Sequence, residues 1–139
     1  MFPPPRPWKQ RKAVDPQREY VAFTSRFFLR SLRRVPAFLW TSFRIMRQAN
    51  EAAGIIGWSL GMDIVSREFH TLSAWEDAES LRHFVQDGSH RRAAQAFEGD
   101  MRRKSIFVYY RVPGRDLPLI WRDAIARQEE QDKRRVAVS

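Results

Sequence analysis

Apolar residues recur at every second position in four stretches of this chain and at every third or fourth in four others. The sharpest stretch runs from Val65 to Val85. Val65 to Ala74 is rich in β-branched, aromatic and small residues, which suit a pleated surface, so a strand is predicted that delivers Trp75 to its end. The period of two puts Phe69, Thr71, Ser73 and Trp75 on one face and His70, Leu72 and Ala74 on the other. Ala78, Leu81, Phe84 and Val85 then form the apolar stripe of a helix. Its first turn is expected to hold Glu76 and Asp77, where exposed N–H groups favour negative charge.

The same reading extends along the chain. Glu19 to Leu29 is predicted as a first strand, with Val21, Phe23, Ser25 and Phe27 on one face and Ala22, Thr24, Arg26 and Phe28 on the other. Both faces carry apolar groups, as in a strand buried on two sides. Pro36 suits the first turn of a helix, where its missing N–H costs nothing. The stripe through Phe38, Leu39, Met46 and Ala49 carries that helix to Ala53, with Gly54 as its stop. Ile55 to Ile64 alternates large residues with Gly57, Ser59 and Gly61, and the short turn Asp63 to Arg67 makes an antiparallel hairpin with the strand that follows. Gly88 is read as the end of the helix after Trp75, Ser89 as the cap of another from His90 to about Met101, and Lys104 to Val112 as the last strand. A C-terminal amphipathic helix is expected over Leu117 to Glu130, with Pro118 at its start.

Strand, helix, strand, strand, helix, strand is the split βαβ, ferredoxin-like order: an α+β fold with a four-stranded antiparallel sheet and helices on one face. The domain is expected over residues 18–114, preceded by a disordered Pro/Arg-rich tail at 1–17, extended by the helix at 115–130, and ended by a frayed tail at 131–139. The sheet face without helices is also apolar, and a second copy of the chain is its economical cover, so a homodimer is expected.

Composition narrows the class. At 139 residues, 43% apolar and 13% aromatic, the chain suits one globular domain. With no cysteine, disulfides and thiolate metal sites are excluded, and three histidines, none paired at i, i+4, argue against a metal site. Apolar runs are broken well before the roughly 18 residues of a membrane span. Met1 to Trp8 has no apolar signal core, so no membrane partner and a cytoplasmic location are expected. The net charge of +9 is segmental: residues 20–50 hold six arginines and no acid, while residues 51–81 hold Arg67 against six acids. Such a flank reads as solvation or a polyanion-attracting patch rather than a groove reader, so nucleic acid is not the expected partner.

Thr71-Leu72-Ser73-Ala74-Trp75-Glu76-Asp77-Ala78-Glu79-Ser80-Leu81, followed by Phe84-Val85 and Ser89-His90-Arg91-Arg92-Ala93-Ala94, resembles the strand–Trp-Glu–helix–His signature of the dimeric α/β-barrel superfamily, the antibiotic-biosynthesis monooxygenase-like proteins. Gly54 to Leu60 resembles the second strand of the spheroidene-monooxygenase-like group within it. The resemblance spans roughly Glu19 to Arg111. It implies a dimeric barrel with a pocket between sheet and helices in each copy, holding a hydrophobic or aromatic substrate, with either no cofactor or haem. Haem-degrading relatives combine a first-strand asparagine with a Trp and a His; here Ala22, Phe23, Thr24 and Ser25 include no asparagine.

The candidate catalytic residues are His90, His70 and Trp75, and the candidate ligand- or cofactor-binding residues are Trp58, Arg67 and Tyr109. His90 is an acid/base group or haem ligand, against a bland role in capping its helix. His70, mid-strand, is a pocket wall if it is not a satisfied core residue. Trp75 and Trp58 shape an aromatic pocket or pack the core. Arg67, read as a strand arginine with Arg26 and Arg111, is a carboxylate anchor or an exposed edge residue. Tyr109 and Tyr110 each supply a phenol to one face. Two functions follow: a monooxygenase-like enzyme, or a non-catalytic dimer that binds a hydrophobic ligand or presents its basic surface to a polyanion.

Overall fold

Strands and helices form where the two periods place them, with several ends shifted. In the computed structural model, which describes residues 8–138, the elements are β1 (Lys9–Gln10), β2 (Glu19–Phe28), α1 (Val35–Asn50), β3 (Ile55–Asp63), β4 (Glu68–Trp75), α2 (Ala78–Gln86), α3 (Gly88–Phe97), β5 (Ile106–Pro113) and α4 (Trp121–Val138). The sheet order is β1-β3-β4-β2-β5, antiparallel throughout. From β2 onward this is the expected ferredoxin-like α+β arrangement.

The sheet has five strands, not four. Lys9 and Gln10 pair with Trp58 and Gly57 along the outer edge of β3. Gly57 permits this: a Cβ built there would lie 2.4 Å from the Trp8 indole, so the ring occupies the space a side chain would fill. Farther along, Lys12 pairs with Glu76 at 3.2 Å and the Asp15 N–H donates to Tyr20 Oη at 2.9 Å. Residues 8–17 therefore lie against the sheet instead of forming a free tail; residues 1–7 of the expected tail lie outside the described residues.

The larger correction concerns the second sheet face. Tyr20, Ala22, Leu72, Ala74, Ile106 and Val108 point there, and the C-terminal segment covers them with Leu119 and, from α4, Trp121 and Ala124. The chain buries this face itself, so the face no longer calls for a second copy. Gln128 is fully buried in the contact, donating to Thr24 Oγ1 at 2.8 Å and to the Ser25 carbonyl at 3.4 Å. Past it, Gln131 donates to the Phe107 carbonyl and Arg135 to that of Ser105, which blunts the open edge of β5. The helix starts at Trp121, three residues beyond Pro118, and continues to Val138 instead of fraying after 130. Pairs such as Arg127–Asp123 and Arg134–Glu130 support the extension.

Other boundaries move for local reasons. α1 ends at Asn50, and Gly54 serves the turn into β3 with φ +88°. Asp77 lies outside α2 as its cap, accepting from the Ser80 N–H at 2.8 Å, which holds its carboxyl below the usual range. Gly88 opens α3 rather than closing α2, and α3 stops at Phe97. Asp63 Oδ1 accepts from the N–H groups of Val65 and Ser66, so the hairpin turn takes Ile64 to Arg67. Arg67 sits in that turn at φ +57°, not in a strand. Among the described residues, no helix is long and apolar enough to cross a membrane.

Candidate functional site

The first sheet face, opposite α4, carries Phe23, Ser25 and Phe27 from β2, Thr71, Ser73 and Trp75 from β4, and Phe107 and Tyr109 from β5. Helices α1, α2 and α3 stand over it and leave a cavity of about 990 Å³. That is the upper end of the roughly 300 to 1,000 Å³ of small-molecule sites.

Its walls are aromatic. Trp75 packs on Phe84 with ring centres 5.2 Å apart, and Phe84 in turn meets His90 edge-on at 5.4 Å. Phe38 bridges Phe27 at 5.4 Å and Phe97 at 5.1 Å. Tyr109 stacks on Phe23 at 4.7 Å and lies half open to solvent, so the β5 side forms the mouth. The floor is different. The register that sets Ser25 against Thr71 and Phe23 against Ser73 gathers three hydroxyls among these rings. Ser25 and Thr71 hydrogen-bond each other through their side chains, and Ser73 Oγ accepts from Trp75 Nε1 at 2.9 Å. An apolar chamber with a few convergent polar groups orients a ligand through those groups.

His90 is the one imidazole lining the cavity among the described residues. Burial holds it below its ordinary 6.5, against the opposing charge of Asp87, so it is neutral at pH 7 and able to take a proton. Trp75, His90 and Tyr109 thus meet around one space. The other three candidates do not reach it. His70 points to the opposite face, where it is 1% exposed beneath Trp121. Trp58 packs with Met46, Ala49 and Ile55 and donates to Asn50 Oδ1 at 2.9 Å. Arg67 donates to the Leu29 carbonyl at 3.3 Å. Serines 25 and 73 and Thr71 escaped notice as site residues, although their parity with Phe23 and Trp75 already set them on this face.

A second cleft, of about 550 Å³, lies between the end of α1 and α2 and is lined by Gln48, Asp77, Ser80, His83 and Asp87. His83 sits 3.6 Å from Glu79 in the open. No group of three or more potential metal-ligating side chains occurs among the described residues.

No family model and no curated protein matches this sequence. Solved structures do match it in shape. An antibiotic biosynthesis monooxygenase superposes with a TM-score of 0.59 at 12% identity, covering 65% of this chain and 95% of that one. This chain has the antibiotic-biosynthesis-monooxygenase fold. A cofactor-independent oxygenase from Streptomyces nogalater, crystallised as a point mutant, matches at TM-score 0.58 and 16% identity over 72% of this chain and 98% of its own. A conserved protein from Methanosarcina mazei matches at TM-score 0.59 and 11% identity over 66% and 90%. At such identities the monooxygenase fold is what the chains share, and nothing finer, including the spheroidene-monooxygenase-like group, is singled out.

Proposed function

We propose that this chain is a monooxygenase-like protein that takes a planar hydrophobic or aromatic molecule into the cavity between its sheet and helices. The observation that carries this is the cavity itself: large, walled by aromatic rings, floored by three hydroxyls and bordered by a neutral histidine. The shared fold with an oxygenase that works without a cofactor supports the same reading. In it His90 removes a proton from an acidic carbon or phenol of the ligand. The hydroxyls of Ser25, Thr71 and Ser73 hold the ligand's oxygen, and the rings exclude water while the electron-rich ligand reacts with dioxygen.

Haem is the cofactor the resemblance implies. The donor set fits a flat group held through one nitrogen, since His90 is the only cavity imidazole among the described residues. Bound there, haem would supply the redox chemistry that otherwise falls to the substrate, and His90 would be its ligand.

An anthrone, a planar tricyclic carbon acid, is the test. The expected result is quenching of tryptophan fluorescence on binding, with oxygen uptake that His90→Ala abolishes while binding persists. Binding without oxygen uptake points to the non-catalytic ligand-binding alternative. Absence of binding by both the anthrone and haemin would sink the reading.

A further inference from the structure

The end of the sheet where β2 stops, β3 turns into β4 and β5 begins gathers three arginines that no carboxylate pairs. Arg102 Nη1 and Arg67 Nε both donate to the carbonyl oxygen of Leu29, at 2.7 and 3.3 Å, so two guanidiniums converge on one atom. Arg30, next in the chain to Leu29, donates to the carbonyl of Met101, next to Arg102, at 3.1 Å. The backbone ties the three together. The Leu29 N–H donates to the Arg67 carbonyl at 3.0 Å and the Arg102 N–H to the Phe28 carbonyl at 2.9 Å. Among the described residues, no carboxylate is within ion-pair distance of these three side chains. The acids close by are taken: Asp100 by Arg34 at 3.1 Å, Glu68 by Arg26, and Asp63 by the N–H groups of the hairpin turn. Like charges gathered in this way repel, and each guanidinium keeps N–H donors to spare.

That hairpin turn also carries an apolar tip. Ile64 and Val65 are 49% and 87% exposed, and the Arg67 N–H donates to the Ile64 carbonyl at 3.2 Å, so the tip and Arg67 belong to one tight turn. We propose that this end of the sheet docks on an anionic phospholipid surface, with Ile64 and Val65 entering the apolar layer while Arg30, Arg67 and Arg102 hold headgroup phosphates. Guanidinium matches phosphate in geometry, and phosphate brings the counter-charge the three lack. An aliphatic tip favours a bilayer over RNA, because it offers no ring for a base to stack on and gains only by leaving water. A second copy of the chain fits less well, since an isologous contact here sets arginine against arginine. Surface contact needs neither a spanning segment nor a signal core, the features on which the expectation of no membrane partner rested. Docking here is independent of what the cavity binds.

The sequence has no cysteine, so Val65→Cys in the full chain carries a single environment-sensitive fluorophore at the tip. With vesicles of phosphatidylcholine containing roughly one-third phosphatidylglycerol, its emission should shift to the blue at low salt, and should stay unshifted with phosphatidylcholine alone or with single-stranded RNA. In the unlabelled chain, Arg30→Gln/Arg102→Gln should weaken co-sedimentation with the anionic vesicles roughly tenfold to thirtyfold, each arginine near such a surface counting for about fivefold. Arg44→Gln/Arg47→Gln removes the same charge from the exposed side of α1 and should cost much less. Val65→Ser should weaken vesicle binding at unchanged Tm. An unshifted probe on anionic vesicles overturns the proposal, as does equal loss in the two arginine pairs or unaltered binding by Val65→Ser. A shift that phosphatidylcholine alone or RNA also produces overturns it too.

Discussion

His70 is the buried group whose titration this fold should feel most. It lies mid-way along β4 on the α4 side, 1% exposed, with the Trp121 ring edge-on at 6.0 Å. The groups facing it are Arg26 of β2, Glu68 of its own strand, Asp63 at the end of β3 and Gln128 of α4. Burial, and then the Arg26 charge, push it from 6.5 down to about 4. The folded chain therefore keeps His70 neutral where the unfolded chain has already taken up a proton. The associated stability is complete above pH 6.5 and is lost as pH falls from 6.5 towards 4. The slope is at most about 1.4 kcal/mol per pH unit, and the total loss is at most about 3–4 kcal/mol. Urea unfolding followed by tryptophan fluorescence at successive pH values measures it. His70→Leu should flatten the profile between about pH 6.5 and 4.5, whatever its absolute stability. His90, also held low by burial, contributes with the same sign, so adding His90→Ala should flatten the profile further. A His70→Leu profile parallel to the wild type would refute the argument.

Three substitutions probe how the N-terminal segment and α4 are fastened to the sheet. Gly57→Ala drives a Cβ into the Trp8 indole and should release β1 at a cost of about 1 kcal/mol, seen as faster tryptic cleavage at Arg11 and Lys12 than in the wild type. Gly114→Ala places its Cβ 2.0 Å from the Asp15 carbonyl oxygen, a backbone atom with little room to yield. It should destabilise by about 2 kcal/mol, with an unchanged Tm as the contrary result. Gln128→Leu removes two hydrogen bonds between α4 and β2 and should cost about 1–3 kcal/mol in urea unfolding; full stability would mean the glutamine is not what fastens the helix.

The strands were legible because alternation survives even where both faces are apolar. Val21, Phe23, Ser25 and Phe27 do share a face, and so do Phe69, Thr71, Ser73 and Trp75. That parity had already separated His70 from Trp75, since residues of opposite parity on one strand cannot enter the same cavity. Which face held the cavity was the missing fact. It depended on α4, whose inward row includes Ala124 and Gln128, a small residue and a polar one, where a buried helix ordinarily shows large apolar groups. A glutamine reads as solvent-facing until Thr24 is seen beneath it. β1 was hidden for a different reason: two residues have no period, and their place is set by the room left over Gly57 on another strand. Arg67 was misplaced because an Asx turn at Asp63 consumed the residues that alternation alone assigned to a strand.

The two faces of the sheet explain each other. On the α4 face three polar contacts are made within the chain: Gln128 to Thr24, Trp121 Nε1 to Ser59 Oγ at 3.3 Å, and Arg26 to Glu68. That face is filled, and its buried polar atoms serve to dock a helix. On the other face the hydroxyls of Ser25 and Thr71 turn to each other beneath open space, and Ser73 accepts from a ring that forms the wall. The helices above bring Phe38, Phe84 and Phe97 to that face without closing on the floor. A domain of this size has little reason to keep so wide a gap in its core, because each unfilled volume forfeits packing. The gap is stabilised by what surrounds it and gains nothing from being empty. Filling it from within tests that argument: Ser73→Phe should raise stability if the cavity is only a packing defect, and should abolish anthrone binding without raising it if the space is kept for a ligand.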